Sequence, residues 1–142
     1  MRRLSMNMKA TGTQKNILLV DDDELLLDLY ARKFEMNGFS VTKFMSSADA
    51  LERLRSGATP DVLVLDLIMP DLDGYGLLET IQKEHLAPGA IKIVLSNKTE
   101  DRGIERAQEL GIDGYIAKAS SVPSQTVESI LAIMSDLADR KT

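Results

Sequence analysis

The chain has 142 residues, a net charge of −5 and no cysteine. That length suits one domain with a real core, the acidic balance removes the electrostatic case for nucleic acid or an anionic membrane, and the missing thiols exclude disulfides and cysteine catalysis. Residues 1–14 hold Arg2, Arg3 and Lys9 but no acid and no apolar stretch, so they are read as a disordered tail and not a secretory signal. No run elsewhere is long enough to span a bilayer, and the expected location is cytoplasmic.

From Lys15 the pattern alternates between short apolar runs and helix-period segments. Ile17–Val20 is the first predicted strand. A helix follows from Asp23, with Asp23 as its cap, Leu26, Leu29, Tyr30 and Phe34 along its inner face and Gly38 as its stop. Ser40–Phe44 is a second strand, and Ser46 or Ser47 caps a helix carrying Ala50, Leu51 and Leu54 that ends near Gly57. Asp61–Leu65 is the third strand, and Asp73–Glu84 a helix with Leu77, Leu78 and Ile81 inward.

Ile91–Leu95 is the fourth strand. The next helix, Glu100–Leu110, contains Gly103 and stops at Gly111; it is the poorest helix former and the one expected to be most mobile. Asp113–Ala117 is a short fifth strand. Pro123 opens a last helix whose expected inward face is Val127, Ile130, Leu131, Met134, Leu137 and Ala138, with Ile133 off the edge of that stripe.

Five βα units in series predict an α/β fold: a doubly wound, five-stranded parallel sheet of flavodoxin-like (βα)5 type, strand order 2-1-3-4-5. The expected domain covers residues 15–139, with 140–142 as a C-terminal tail and no room for an appended output domain.

Two apolar strands end in acid: Ile17–Val20 runs into Asp21, Asp22 and Asp23, and Val62–Leu65 runs into Asp66. Ligands of open α/β sheets bind beyond the carboxyl ends of the strands, and that order makes strands one and three neighbours. Asp21, Asp22 and Asp66 should therefore meet, repel one another, and call for a hard cation, Mg²⁺ or Mn²⁺. The fourth strand brings Ser96 to the same edge and the fifth brings Lys118. Carboxylates for a metal, a nucleophilic Asp66, a hydroxyl and an ammonium suit the movement of a phosphoryl group. Asp71 and Asp73 are read as caps of the following helix, and His85 as a polar residue at a helix end.

The motifs ILLVDDD at 17–23, DVLVLDLIMPDLDG at 61–74, IVLSN at 93–97 and GIDGYIAK at 111–118 together resemble the response-regulator receiver domains of two-component signalling. The resemblance implies that Asp66 accepts the phosphoryl group and that Asp22 ligates the metal directly. It further implies that Asp21 reaches the metal through water and that Ile68 offers its backbone carbonyl. Ser96 then matches the switch hydroxyl, Lys118 the lysine that pairs with the phosphoryl group, and Tyr115 the aromatic switch residue. The expected partners are a histidine kinase or phosphotransfer protein and an unidentified downstream protein. A homodimer could form through the face of helix four, strand five and helix five.

Two positions depart from the family pattern. Ala119 replaces the usual proline after the lysine, which predicts a trans Lys118–Ala119 bond. Asn97 stands where a small residue is commoner. Ile68 and Lys98 occupy the positions that the resemblance places beside the phosphoryl group, and an apolar Ile68, which orients hydrolytic water poorly, predicts a long-lived phosphoryl group. Two other readings compete. A pseudo-receiver would bind partners without phosphorylation. A haloacid-dehalogenase-like phosphatase would need Asp-x-Asp-x-Thr/Val, which Asp21-x-Asp23-x-Leu25 does not complete.

Overall fold

The computed structural model describes residues 14–67, 73–96, 101–118 and 122–141. Ile68, Met69, Pro70, Asp71, Asn97, Lys98 and Ala119 lie outside the described residues, as do residues 1–13 of the expected tail, so the readings placed on them stand as expectations.

The elements follow in strict alternation: β1 (Asn16–Val20), α1 (Glu24–Met36), β2 (Ser40–Phe44), α2 (Ser47–Arg55), β3 (Val62–Asp66), α3 (Gly74–Lys83), β4 (Ile91–Ser96), α4 (Asp101–Glu109), β5 (Gly114–Ala117) and α5 (Pro123–Lys141). All strand pairs are parallel and the sheet order is β2-β1-β3-β4-β5, as the alternation predicted. The central strands β1 and β3 are apolar on both faces because helices cover both. One layer of core joins β1, β3 and β4 to α2 and α3 through Leu18, Leu63, Leu77 and Ile81. The other joins the sheet to α1 and α5 through Ile17, Phe34, Ile93 and Ile130.

Side-chain caps start the helices where polar residues precede each apolar stripe. Asp23 accepts from the Leu26 N–H, Ser46 from the Asp49 N–H and Asp73 from the Gly76 N–H. Ser46 is thus the cap of α2, and Ser47 is buried in its first turn. The helix ends share one closure. Gly38, Gly57 and Gly111 adopt positive φ just past α1, α2 and α4. After α1, the Phe39 N–H reaches back to the Phe34 carbonyl and the two rings meet edge-on at 6.1 Å. His85 fills the equivalent position after α3 with φ 55°, and the Leu86 N–H donates to the Ile81 carbonyl. His85 is therefore more than a polar helix end: it sits in the left-handed geometry that glycine holds elsewhere.

Three expectations need correction. In α1 the fully buried set is Leu27, Tyr30, Ala31 and Phe34, while Leu26 and Leu29 are half-buried on its flanks. In α5, Ala138 is exposed, whereas Ile133 packs toward β5 so closely that a Cβ on Gly114 would lie 2.7 Å from its Cδ1. The last helix continues to Lys141, into the segment read as a tail. The run Leu137-Ala-Asp-Arg-Lys141 contains no glycine or proline to stop it.

Candidate functional site

The carboxyl ends of β1 and β3 bring Asp21, Asp22 and Asp66 together, each with an oxygen within 4.8 Å of the others. Asp66 is the last residue of β3, facing Leu95 of β4, so its backbone is locked in the sheet. Asp21 and Asp66 are buried and Asp22 is exposed. Asp21 is oriented by the Asp23 N–H, which donates to its Oδ1 at 2.9 Å, leaving Oδ2 for the pocket.

Lys118 enters from the far edge of the sheet. Its backbone N–H donates to the Ser96 carbonyl at 2.8 Å, extending the β4–β5 ladder by one step. Its Nζ then spans two carboxylates, 2.9 Å from Asp21 Oδ2 and 3.3 Å from Asp66 Oδ2, with all three side chains at least nine-tenths buried. Burial opposes the charge on this ammonium, but hydrogen bonding and charge from Asp21, then from Asp66, outweigh it and hold the lysine pKa above its ordinary value. Three carboxylates against one ammonium leave the pocket negative. An all-oxygen, anionic cluster with one exposed member is the donor chemistry of a hard divalent cation, so these residues fit Mg²⁺ or Mn²⁺.

Ser96 closes β4 as a buried residue in register with Ala117. Tyr115, two residues before the register partner of Ser96, is half-buried against the core layer shared with α3. The floor of the site is fixed by Gly74. Its N–H donates to the Leu67 carbonyl at 2.7 Å, and an added Cβ would stand 2.6 Å from Leu67 Cα and 2.7 Å from the Asp66 carbonyl oxygen. Only glycine permits that approach.

Sequence reasoning missed Tyr30 and Thr126. Both are buried, they hydrogen-bond across α1 and α5, and the Tyr30 phenol feels Lys118, Asp21 and Asp66. Burial raises its pKa above the ordinary tyrosine value. Lys118 and the Thr126 hydrogen bond oppose that rise, and the two aspartates add to it. The only signal in the sequence was a tyrosine placed on the apolar stripe of α1. A cavity of about 440 Å³ is remote from this chemistry: it lies at the opposite edge, lined by Asn16, Thr42, Arg53 and Pro60.

Residues 17–130 match the family described as the response regulator receiver domain. The regulatory protein VanRc of Enterococcus gallinarum is 35% identical over 104 residues, which cover 73% of this chain and 43% of that protein. The chain thus spans less than half the length of the curated relatives it matches. Among solved structures, a CheY-like receiver domain protein of Methanospirillum hungatei JF-1 superposes with TM-score 0.77 at 26% identity, covering 90% of this chain and 99% of that one. A response regulator of Burkholderia pseudomallei, solved with a phosphorylated aspartic acid, a calcium ion and citrate, gives TM-score 0.74 at 26% identity, covering 91% and 74%.

Proposed function

Because the chain belongs to the response regulator receiver family, we propose that it is a phosphorylation-controlled signalling module whose acceptor is Asp66. The observation that carries this reading is Lys118 bridging Asp21 and Asp66 inside the acidic cluster. One Asp66 carboxylate oxygen attacks the phosphorus of a phosphohistidine on a kinase or phosphotransfer protein. A P–O bond forms as the P–N bond breaks, the imidazole takes a proton, and an acyl phosphate remains. Asp21, Asp22, Asp66 and the Ile68 carbonyl would hold Mg²⁺ or Mn²⁺, which would supply charge neutralisation at the phosphoryl oxygens. Lys118, already within reach of Asp66, supplies a positive charge for the incoming anion. The Ser96 hydroxyl, carried on the next strand, is the group to engage it.

The role is that of a switch and not of a turnover enzyme. Phosphorylation adds negative charge at one end of β3 to β5, and Ser96 and Tyr115 transmit it to the face of α4, β5 and α5. A downstream protein or a second copy of the chain reads that face.

Incubation with Mg²⁺ and acetyl phosphate tests the reading. Intact mass should show one added phosphoryl group, lost in Asp66→Asn. Addition in that variant, or many turnovers of phosphate release from small phosphoesters, would overturn it. Ser96→Ala should still accept the phosphoryl group but lose its effect on partner binding or dimerisation.

A further inference from the structure

The chemistry above makes no use of a cluster formed where α3 and α4 meet. Tyr75 lies on the first turn of α3, immediately after Gly74. Its ring is covered by the Arg106 guanidinium, whose carbon is 4.3 Å from the ring centroid. Its phenol oxygen reaches Gly103: a Cβ built there would lie 2.7 Å from Tyr75 Oη and 3.9 Å from Tyr115 Oη. Gly103 and Arg106 are three residues apart on α4, so they share one face of that helix. Two tyrosines from different elements therefore converge on a spot of α4 that has no side chain of its own.

That placement joins two parts of the switch. On one side, Tyr75 is one residue from the backbone contact that Gly74 makes with Asp66 and Leu67. On the other, its oxygen shares the space above Gly103 with Tyr115, and both rings pack on the same core layer. Arg106 is exposed, so its hold on Tyr75 is modest and reversible, as a latch requires.

We propose that Tyr75, clamped by Arg106 over Gly103, is a positioning residue that latches α4 onto α3 and sets the resting position of Tyr115. This rests on Asp66 being the phosphoryl acceptor. Opening the latch should shift the resting population toward the phosphorylated conformation, because the bound state no longer has to break the Tyr75–Arg106 contact.

The full chain, labelled with 3-fluorotyrosine, tests this by ¹⁹F NMR. It has three tyrosines, Tyr30, Tyr75 and Tyr115, so the spectrum can be assigned by single Tyr→Phe variants. The probe is beryllofluoride with Mg²⁺. Without any ligand, Arg106→Ala should move the Tyr115 resonance toward the position it takes in beryllofluoride-treated wild type. It should also tighten apparent beryllofluoride binding about two- to fivefold, the equivalent of one exposed cation–π contact. Arg106→Lys should restore wild-type behaviour in part, and Gly103→Ala, which crowds the Tyr75 oxygen, should act like Arg106→Ala.

The two readings fail separately. If wild type shows no response to beryllofluoride, the acceptor reading falls, and the latch is then judged on whether ligand-free Arg106→Ala moves the Tyr115 resonance at all. An unmoved Tyr115 resonance in both Arg106→Ala and Gly103→Ala overturns the latch, whatever beryllofluoride does.

Discussion

The helices around the sheet are anchored to different depths, and α1 and α4 mark the two extremes. The side covered by α1 and α5 is deep. Leu27, Tyr30, Ala31 and Phe34 from one helix interleave with Val127, Ile130 and Met134 from the other, and the helices pack on each other. Across the sheet, α2 and α3 bury a core layer of their own, but α4 is shallow. It packs on α3, and among its described side chains only Ala107 is fully buried. Burying a Phe or Leu contributes several times what an alanine methyl can. The fold therefore holds Asp21 and Lys118 against a firm wall, and gives the element nearest Tyr115 little to lose by moving.

The largest test of this contrast is a matched pair of truncations. Phe34→Ala should lower unfolding stability by about 3–5 kcal/mol. Ala107→Gly should cost about 1 kcal/mol, mostly helix propensity. Urea melts measure both, and equal losses would erase the distinction between α1 and α4.

A second, smaller effect probes the polar seam between α1 and α5. Tyr30→Phe removes the hydroxyl that bonds Thr126 and should cost about 1 kcal/mol. The same groups set a pH dependence. Tyr30 and Lys118 both have folded-state pKa values raised above their ordinary 10.0 and 10.5. Their contribution is therefore complete below pH 10 and is lost as pH rises through the folded values. Urea midpoints should be flat from pH 8 to about 9.5 and fall above pH 10, less steeply in Tyr30→Phe. A fall beginning near neutrality would show that other groups govern the decline.

The smallest effect concerns the end of α3. His85 carries φ 55° where Gly38, Gly57 and Gly111 close the other helices. His85→Gly should raise stability by a few tenths to about 1 kcal/mol, and thermal melting would register it. No gain would mean that the His85 side chain makes contacts that offset its backbone strain.

The architecture was legible from sequence because its signals are local and repeated. Each apolar run marks a buried strand, each capping Asp or Ser starts a helix, and acids at two strand ends point to one pocket. Asp21, Asp22 and Asp66 came together for that reason. Leu27 was misjudged because Leu25-Leu26-Leu27 is uniformly apolar, so composition does not fix the helix phase, and the burial does. Ile133 and Gly114 depend on the approach of α5 to β5, which no single segment encodes. Gly103 read as a weakness in α4. Its role as a seat for two phenols appears only when α3, α4 and β5 are placed in space. Arg106 gave no signal, since its partner Tyr75 is 31 positions away.

Gly74 makes the contact between the end of β3 and the start of α3 a strut and not a spring. Backbone lies on backbone there, with the Asp66 carbonyl oxygen, Leu67 Cα and the start of α3 in direct contact. A side chain between them would bend through its torsions and soak up a small displacement. Hard contact has no such slack, so a shift of the Asp66 peptide by a fraction of an ångström is delivered to the first turn of α3 nearly undiminished.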